Sequence, residues 1–330
     1  MIKFIRSILL ITLFVSGIQL QLNAQVKQIS THFNDLKEWY NPAFYGIEKQ
    51  YKFVANYRTQ WTKLDGVPQT INFLSSFALP KIKSGIGINI THDRIGAIQT
   101  TTLQAGYNYI IPIKDKLKIG IGAQAGFEFS NLDGSKLITP NGNYSSGINH
   151  NDDVINQATN KTFRPLLNVG ISLNSKHINV GVAYLNAINN KLNFDGTVRS
   201  LSTQLGSVLQ TSINSEIKLP KEFKLIPVIV INTDFVNVQT DVQILAGYKY
   251  FGALGVNVRG YNKKSIESVS PIIKITPIKN IGLGFIYSYD VNINALKIAN
   301  SNTHEITIFY NMNSKNISKH LKFINNPRFL

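Results

Sequence analysis

YRTQWTKLDGVPQTINF, residues 57–73, sets two alternating runs on either side of an Asp-Gly turn. Tyr57, Trp61, Ile71 and Phe73 share one parity, while Arg58, Gln60, Thr70 and Asn72 take the other. Alternation of period two marks a β-strand, and Asp-Gly between two such runs marks a hairpin. In a soluble sandwich the apolar set faces a core and the polar set faces water. In an outer-membrane barrel the apolar set faces lipid and the polar set faces a lumen. The hairpin alone fits both.

The same alternation recurs along most of the chain. In TTLQAGYNYIIPI, Leu103, Ala105, Tyr107, Tyr109 and Ile111 oppose Gln104, Gly106 and Asn108. In KLKIGIGAQAGFEF, an apolar face from Leu117 to Phe129 opposes Lys118, Gly120, Gly122, Gln124, Gly126 and Glu128. NIGLGFIYSYDV repeats the pattern near the end. Glycine on the polar face allows curvature and keeps an interior uncrowded. Soluble strands average about five or six residues, and a tilted membrane strand needs roughly 9 to 11; several runs here reach the longer figure. Fourteen candidate strands lie near 51–61, 68–79, 85–92, 100–112, 116–130, 163–174, 177–186, 208–219, 222–233, 237–251, 253–261, 264–276, 280–291 and 303–312. Every second connection is tight. The alternate set holds two long insertions, near 131–162 and 187–207. Short turns on one side and long loops on the other, with an even strand count, are the pattern of bacterial outer-membrane barrels. A sandwich has no reason to segregate its loops.

Composition agrees. Charged residues are 16% of the 330, against about 25% in soluble domains, and mean hydropathy is −0.03. No run after residue 24 approaches the roughly 18 apolar residues of a membrane helix. Tyr51, Trp61, Tyr109, Phe129, Tyr248, Tyr250, Tyr287 and Tyr289 fall toward strand ends, where interfacial girdles form.

Residues 1–24 read as a cleavable signal peptide, with Lys3 and Arg6 before the apolar stretch Ile8 to Ile18 and Ala24 at its end. No Cys is present, which removes disulfides, thiolate metal sites and Cys nucleophiles. The formal charge of +16 falls to +14 without Lys3 and Arg6. In an exported protein, anionic lipopolysaccharide or an acidic partner segment is a fitting counterpart, and nucleic acid is not. Equally, lysines scattered through turns serve solubility before insertion. Residues 25–50 lack sustained alternation; Phe33, Leu36 and Tyr40 fall at helical spacing, which predicts a lumenal plug or a periplasmic arm. Residues 313–330 form a basic tail after a barrel spanning 51–312.

The residues give little support to catalysis. None of the six His forms a spaced metal pattern. His92 and Asp93 suggest a barrel-rim triad only in outline, because no Gly-x-Ser-x-Gly occurs. Gly-rich stretches such as GIGINITHD lack the helix and Lys-Ser/Thr of a phosphate loop. No cofactor and no enzymatic activity are expected.

Several ordered pieces resemble the PorP/SprF family of outer-membrane proteins associated with type IX secretion. They are FNDLKEWYNPAFYG, with Asn41, Pro42, Ala43 and Gly46, and YRTQWTKLDGVPQTINF, with Arg58, Gln60, Trp61, Asp65, Gly66 and Pro68. GIGINITHDRIGA follows, with Asp93, Ile95 and Gly96, and THEITIFYNM and NPRFL lie near the end. The resemblance implies a FadL-like barrel of about fourteen strands with a possible N-terminal plug. It implies a non-enzymatic accessory component that partners type IX machinery and helps secrete or anchor a gliding-type surface adhesin by its C-terminal domain. It implies, too, that the translocation pore is a separate barrel. The signature residues Asn41, Pro42, Arg58, Trp61, Asp65, Gly66, Asp93 and Gly96 are candidates for partner contact or for folding. The alternative is a channel for small apolar solutes.

Overall fold

The computed structural model describes residues 30–63, 66–114, 116–155, 157–188, 191–194, 201–204, 206–262, 265–277, 282–293 and 302–313. The expected signal peptide, Asp65 and the basic tail beyond 313 lie outside them. Fourteen antiparallel strands form the wall. They are β1 Gln50–Thr59, β2 Gln69–Leu79, β3 Ser84–Ile95, β4 Ile98–Lys114, β5 Leu117–Asp133, β6 Thr159–Asn174 and β7 Ile178–Leu185. They continue as β8 Val208–Ser215, β9 Phe223–Thr233, β10 Val238–Tyr248, β11 Gly252–Tyr261, β12 Ser265–Ile275, β13 Leu283–Asn292 and β14 Thr303–Asn313. Each pairs with its sequence neighbours, and β1 pairs with β14 to close the barrel. Closure pairs the strands all round, as lipid requires, although β6 outruns the shorter β7 and pairs with it only over Val169–Asn174.

Several strand boundaries shift by a few residues from the sequence expectation, β6 for example starting at Thr159 and not 163, and two of the differences change a side chain's setting or a pairing. The run expected over 208–219 ends at Ser215, with only Ile217–Lys218 pairing again beyond it. The first strand ends at Thr59, not at 61. Trp61 has a φ of 55°, so it has left the ladder and is half-buried in the turn rather than displayed to lipid. Short turns such as 80–83 and 249–251 lie at one end, and the connections 134–158 and 186–207 at the other.

Parity is inverted relative to a soluble sheet. Ile71 is 53% exposed while Asn72, beside it, is 0%. Tyr57 and Phe73 are exposed; Arg58, Gln60 and Thr70 are buried. Two bands of exposed rings flank the apolar belt. Tyr107, Tyr109, Phe223 and Tyr248 lie toward the short turns, and Phe127, Phe129, Phe163 and Tyr287 toward the long loops.

The interior is filled by the chain's own N-terminal segment. Residues 30–47 run from the long-loop end toward the short turns and then enter β1. Helix α1, Phe33–Tyr40, carries Phe33, Leu36 and Tyr40 on a shared face, and all three are buried. That face packs with Trp39 and Tyr45 against Val54, Leu74, Val230, Leu245, Ile272, Ile286 and Phe309 from the wall. Each large side chain so buried contributes about 1.5–3 kcal/mol. The lumen is therefore not uniformly polar, as the sequence had suggested. Stepping two residues at a time toward the long loops, Val54, Asn56 and Arg58 line β1; Phe309, Thr307 and Glu305 line β14; Ile286, Ser288 and Asp290 line β13. Apolar, neutral polar and ionic rings are stacked in that order. Above them, a hairpin pairing Lys191–Phe194 with Leu201–Gln204 folds inward, burying Leu192 and Phe194 against Leu132.

Candidate functional site

Two clusters hold three of the signature residues, Arg58 in one and Asn41 and Pro42 in the other. The first is ionic. Arg58, carried inward on β1, donates from Nη2 to Asp290 Oδ2 at 2.6 Å and from Nη1 to Glu305 Oε2 at 2.6 Å. Arg58 and Glu305 are direct partners in the β1–β14 register. Arg259 donates to Asp241 at 2.9 Å, and its Nη1 lies 3.9 Å from Asp290. Three carboxylates thus meet two guanidinium groups. Neutral donors add to these contacts: Asn56 Nδ2 donates to Glu305 at 2.8 Å, and Asn257 Nδ2 to the same Asp241 oxygen that Arg259 uses, at 2.7 Å. The N-terminal segment completes the set. Ser30 Oγ donates to Glu305, Thr31 N donates to Glu305 at 2.9 Å, and Thr31 Oγ1 donates to Asp290 at 3.1 Å. Gln243 Nε2 donates to the Thr31 carbonyl at 2.7 Å, and His32 Nδ1 bonds Thr307 Oγ1 at 2.7 Å. Buried ions need such partners, since desolvation otherwise outweighs their attraction; within the cluster Asp241 Oδ2 and Arg58 Nε are left without one. The arrangement clamps residues 30–32 to the wall.

The second cluster seats the NPAFYG element. Asn41 caps the short 3-10 turn Pro42–Phe44 by accepting from Ala43 N at 2.9 Å. Its amide donates to the carbonyls of Ile171 and Val182 at 3.3 Å. Tyr45 accepts from Gln124 Nε2 at its hydroxyl, 2.9 Å, and from Asn108 Nδ2 at its carbonyl, 2.8 Å. Glycine makes this seat possible. A Cβ on Gly87 would lie 2.0 Å from the Tyr45 ring, and one on Gly122 would lie 2.4 Å from Ala43 N. The inward glycines thus serve less for curvature than as the space into which residues 41–46 fit.

Lower in the barrel, Lys52 holds Glu38 at 2.9 Å and Lys274 holds Asp35 at 2.6 Å. At the short-turn rim, Lys37 pairs with Glu48 and holds its carboxyl down at about 2.

The remaining signature residues sit elsewhere. Gly66 and Gly96, with φ of 70° and 56°, join two neighbouring outer turns through Gly96 N donating to Gly66 O at 3.0 Å. Asp93 points inward and accepts from Thr70 Oγ1 at 2.6 Å, whereas His92 is exposed on the outer face and bonds Thr101 at 3.0 Å. His92 and Asp93 therefore face opposite sides of the wall and form no dyad. Sequence reasoning missed His32, Asp241, Arg259, Asp290 and Glu305. Their inward parity was visible, but not their convergence.

A closed barrel with an apolar outer belt and long loops on one rim is an outer-membrane protein. The chain belongs to the PorP/SprF family, type IX secretion system membrane proteins, whose model matches residues 21–310. No curated protein sequence matches it. Among solved structures, it is similar to the CymD monoaromatic hydrocarbon channel, with a TM-score of 0.50, 11% identity, and coverage of 90% of this chain and 94% of that one. It is also similar to the Pseudomonas putida toluene transporter TodX, TM-score 0.47, 8% identity, covering 87% and 95%. A Pseudomonas aeruginosa FadL homologue gives 0.43, 11%, 80% and 89%. At 11% identity the likeness to CymD is one of fold.

Proposed function

We propose that this barrel is a non-enzymatic accessory component of type IX secretion that helps secrete or hold a cell-surface adhesin, engaging its C-terminal domain at the long-loop rim. The observation that carries this is the occupied lumen. Residues 30–47 fill it and are anchored to the wall from Glu305 to Lys118, so contact with a partner falls to the rim loops 134–158 and 186–207. The wall is rigid because its strands are paired all round, which suits a docking platform. The test is cross-linked co-purification from native membranes, compared between the wild type and a chain with 134–158 shortened. The reading expects an adhesin C-terminal domain to be captured by the first and lost from the second. Normal export and retention of surface adhesins in a deletion strain would sink it.

A channel for small apolar solutes, as CymD is for monoaromatic hydrocarbons, is the weaker reading, because Trp39, Tyr40 and Tyr45 already occupy the apolar part of the lumen. Steady conductance of the purified full chain in planar bilayers would revive it.

A further inference from the structure

The outer face of β3–β6 changes character row by row toward the long loops. Cross-strand register places Ile90, Leu103 and Phe127 in one row, with Pro165 at its end. The next row is His92, Thr101, Phe129 and Phe163. The row after that is Arg94, Gln99, Asn131 and Lys161. An apolar wall thus gives way to rings and then to two cations with two amides between them. Phe129 and Phe163 are 51% and 63% exposed, with ring centroids 6.3 Å apart. A cavity of about 320 Å³ opens over these rings, with His92, Gln99, Thr101, Asn131 and Lys161 around it. Arg94 and Lys161 are exposed. They stand three strands apart, roughly 14 Å along the row. Asp133, one row further out, is already held by Lys136 at 3.1 Å and Ser135 at 2.6 Å.

We propose that this patch binds the phosphorylated sugar headgroup of an anionic glycolipid in the outer leaflet. The occupant follows from position and charge. The row lies where the apolar belt ends, at headgroup depth, and only a molecule anchored in the same leaflet presents acyl chains to Ile90, Leu103 and Phe127 together with a polar head to the row above. Arg94 and Lys161 each meet an anionic group. Guanidinium and ammonium contacts to phosphate are charge-assisted and strong where a ring floor excludes water. Gln99, Asn131 and Thr101 between them suit the hydroxyls and amides of a sugar, and exposed aromatic faces stack on sugar rings. The span between the cations fits a headgroup with a phosphate at each end better than a single phosphate. The site is independent of the cargo-docking role, which falls to the rim loops.

The test uses the purified full chain in detergent, with bis-phosphorylated lipid A added and bound lipid counted by native mass spectrometry. The comparison variant is R94Q/K161Q; K81Q/K176Q, at the short-turn end, removes the same charge elsewhere. Loss of two charge-assisted contacts lowers binding roughly tenfold or more. The wild type and K81Q/K176Q are expected to prefer bis-phosphorylated over dephosphorylated lipid A, and R94Q/K161Q to lose that preference. Unchanged heat-modifiable gel mobility shows that the variants remain closed barrels. Equal lipid A binding by R94Q/K161Q and wild type would overturn the proposal. So would an equal loss in K81Q/K176Q, or displacement of the lipid by equimolar inorganic phosphate.

Discussion

Replacing Arg58 with Ala strikes the ionic ring at its centre. The guanidinium makes two contacts of 2.6 Å, to Asp290 and Glu305, and all three side chains are 5% exposed or less. Breaking a buried pair by removing one partner costs about 3–5 kcal/mol, because the surviving charges stay desolvated. Here two carboxylates are left facing one another, although Arg259 remains 3.9 Å from Asp290 and relieves part of the cost. The lower figure, about 3 kcal/mol, is therefore the appropriate one. The wall keeps its ladder hydrogen bonds, so the penalty falls on the docked segment that shares these carboxylates through Ser30 and Thr31. Hydrogen–deuterium exchange of the backbone amides across 30–47 reads this directly. A loss of about 3 kcal/mol in docking speeds exchange there by roughly a hundredfold when opening and closing are fast, while strand amides stay protected. R58K, which keeps the charge but cannot fork to two acids, is expected to fall between wild type and R58A. Unchanged exchange over 30–47 in a folded R58A barrel would refute the assignment of this ring as the anchor.

Three further outcomes follow from the same geometry. G122A places a methyl group 2.4 Å from Ala43 N, which is backbone and cannot yield; residues 41–46 should lose their seat, read as protease sensitivity of the N-terminal segment in barrels whose gel mobility is unchanged. The Lys37–Glu48 pair holds the Glu48 carboxyl at about 2, below its ordinary value. Its stabilisation is thus present above pH of about 4.5 and lost as pH falls toward 2, so exchange protection near residues 44–49 should decline over that window and E48Q should flatten the decline. F194A removes a buried ring from the cluster with Leu132 and Leu192, costing about 3 kcal/mol; the inward hairpin should loosen, and trypsin should cut at Lys191 on intact cells.

The wall was legible because each strand carries its own evidence. Parity alone places Ile71 outward and Asn72 inward, and fourteen repetitions with segregated loop lengths exclude a sandwich. The contents of the lumen were only half legible. Phe33, Leu36 and Tyr40 announced a helix face in need of cover. Yet that Arg58 meets Asp290, 232 positions away, depends on how the barrel closes, and no local pattern records it. Trp61 misled because its parity continues that of Tyr57 even though the backbone turns out of the strand at that point. The inward glycines were seen, but what fills the space they leave lies far off in the chain.

The position of the ionic ring bears on assembly. It straddles the junction between the first strand and the last, where Arg58 faces Glu305. A slip of one residue at that junction would turn the inward set of one of the two strands outward, so Arg58 and Glu305 could no longer meet inside the barrel, and the carboxylate that receives Ser30 and Thr31 would lose its cation or its place. The N-terminal segment thus acts as a gauge. Only a barrel zipped in the correct register offers it a place to settle, so correct closure and occupancy of the interior are one event, checked by the same carboxylate.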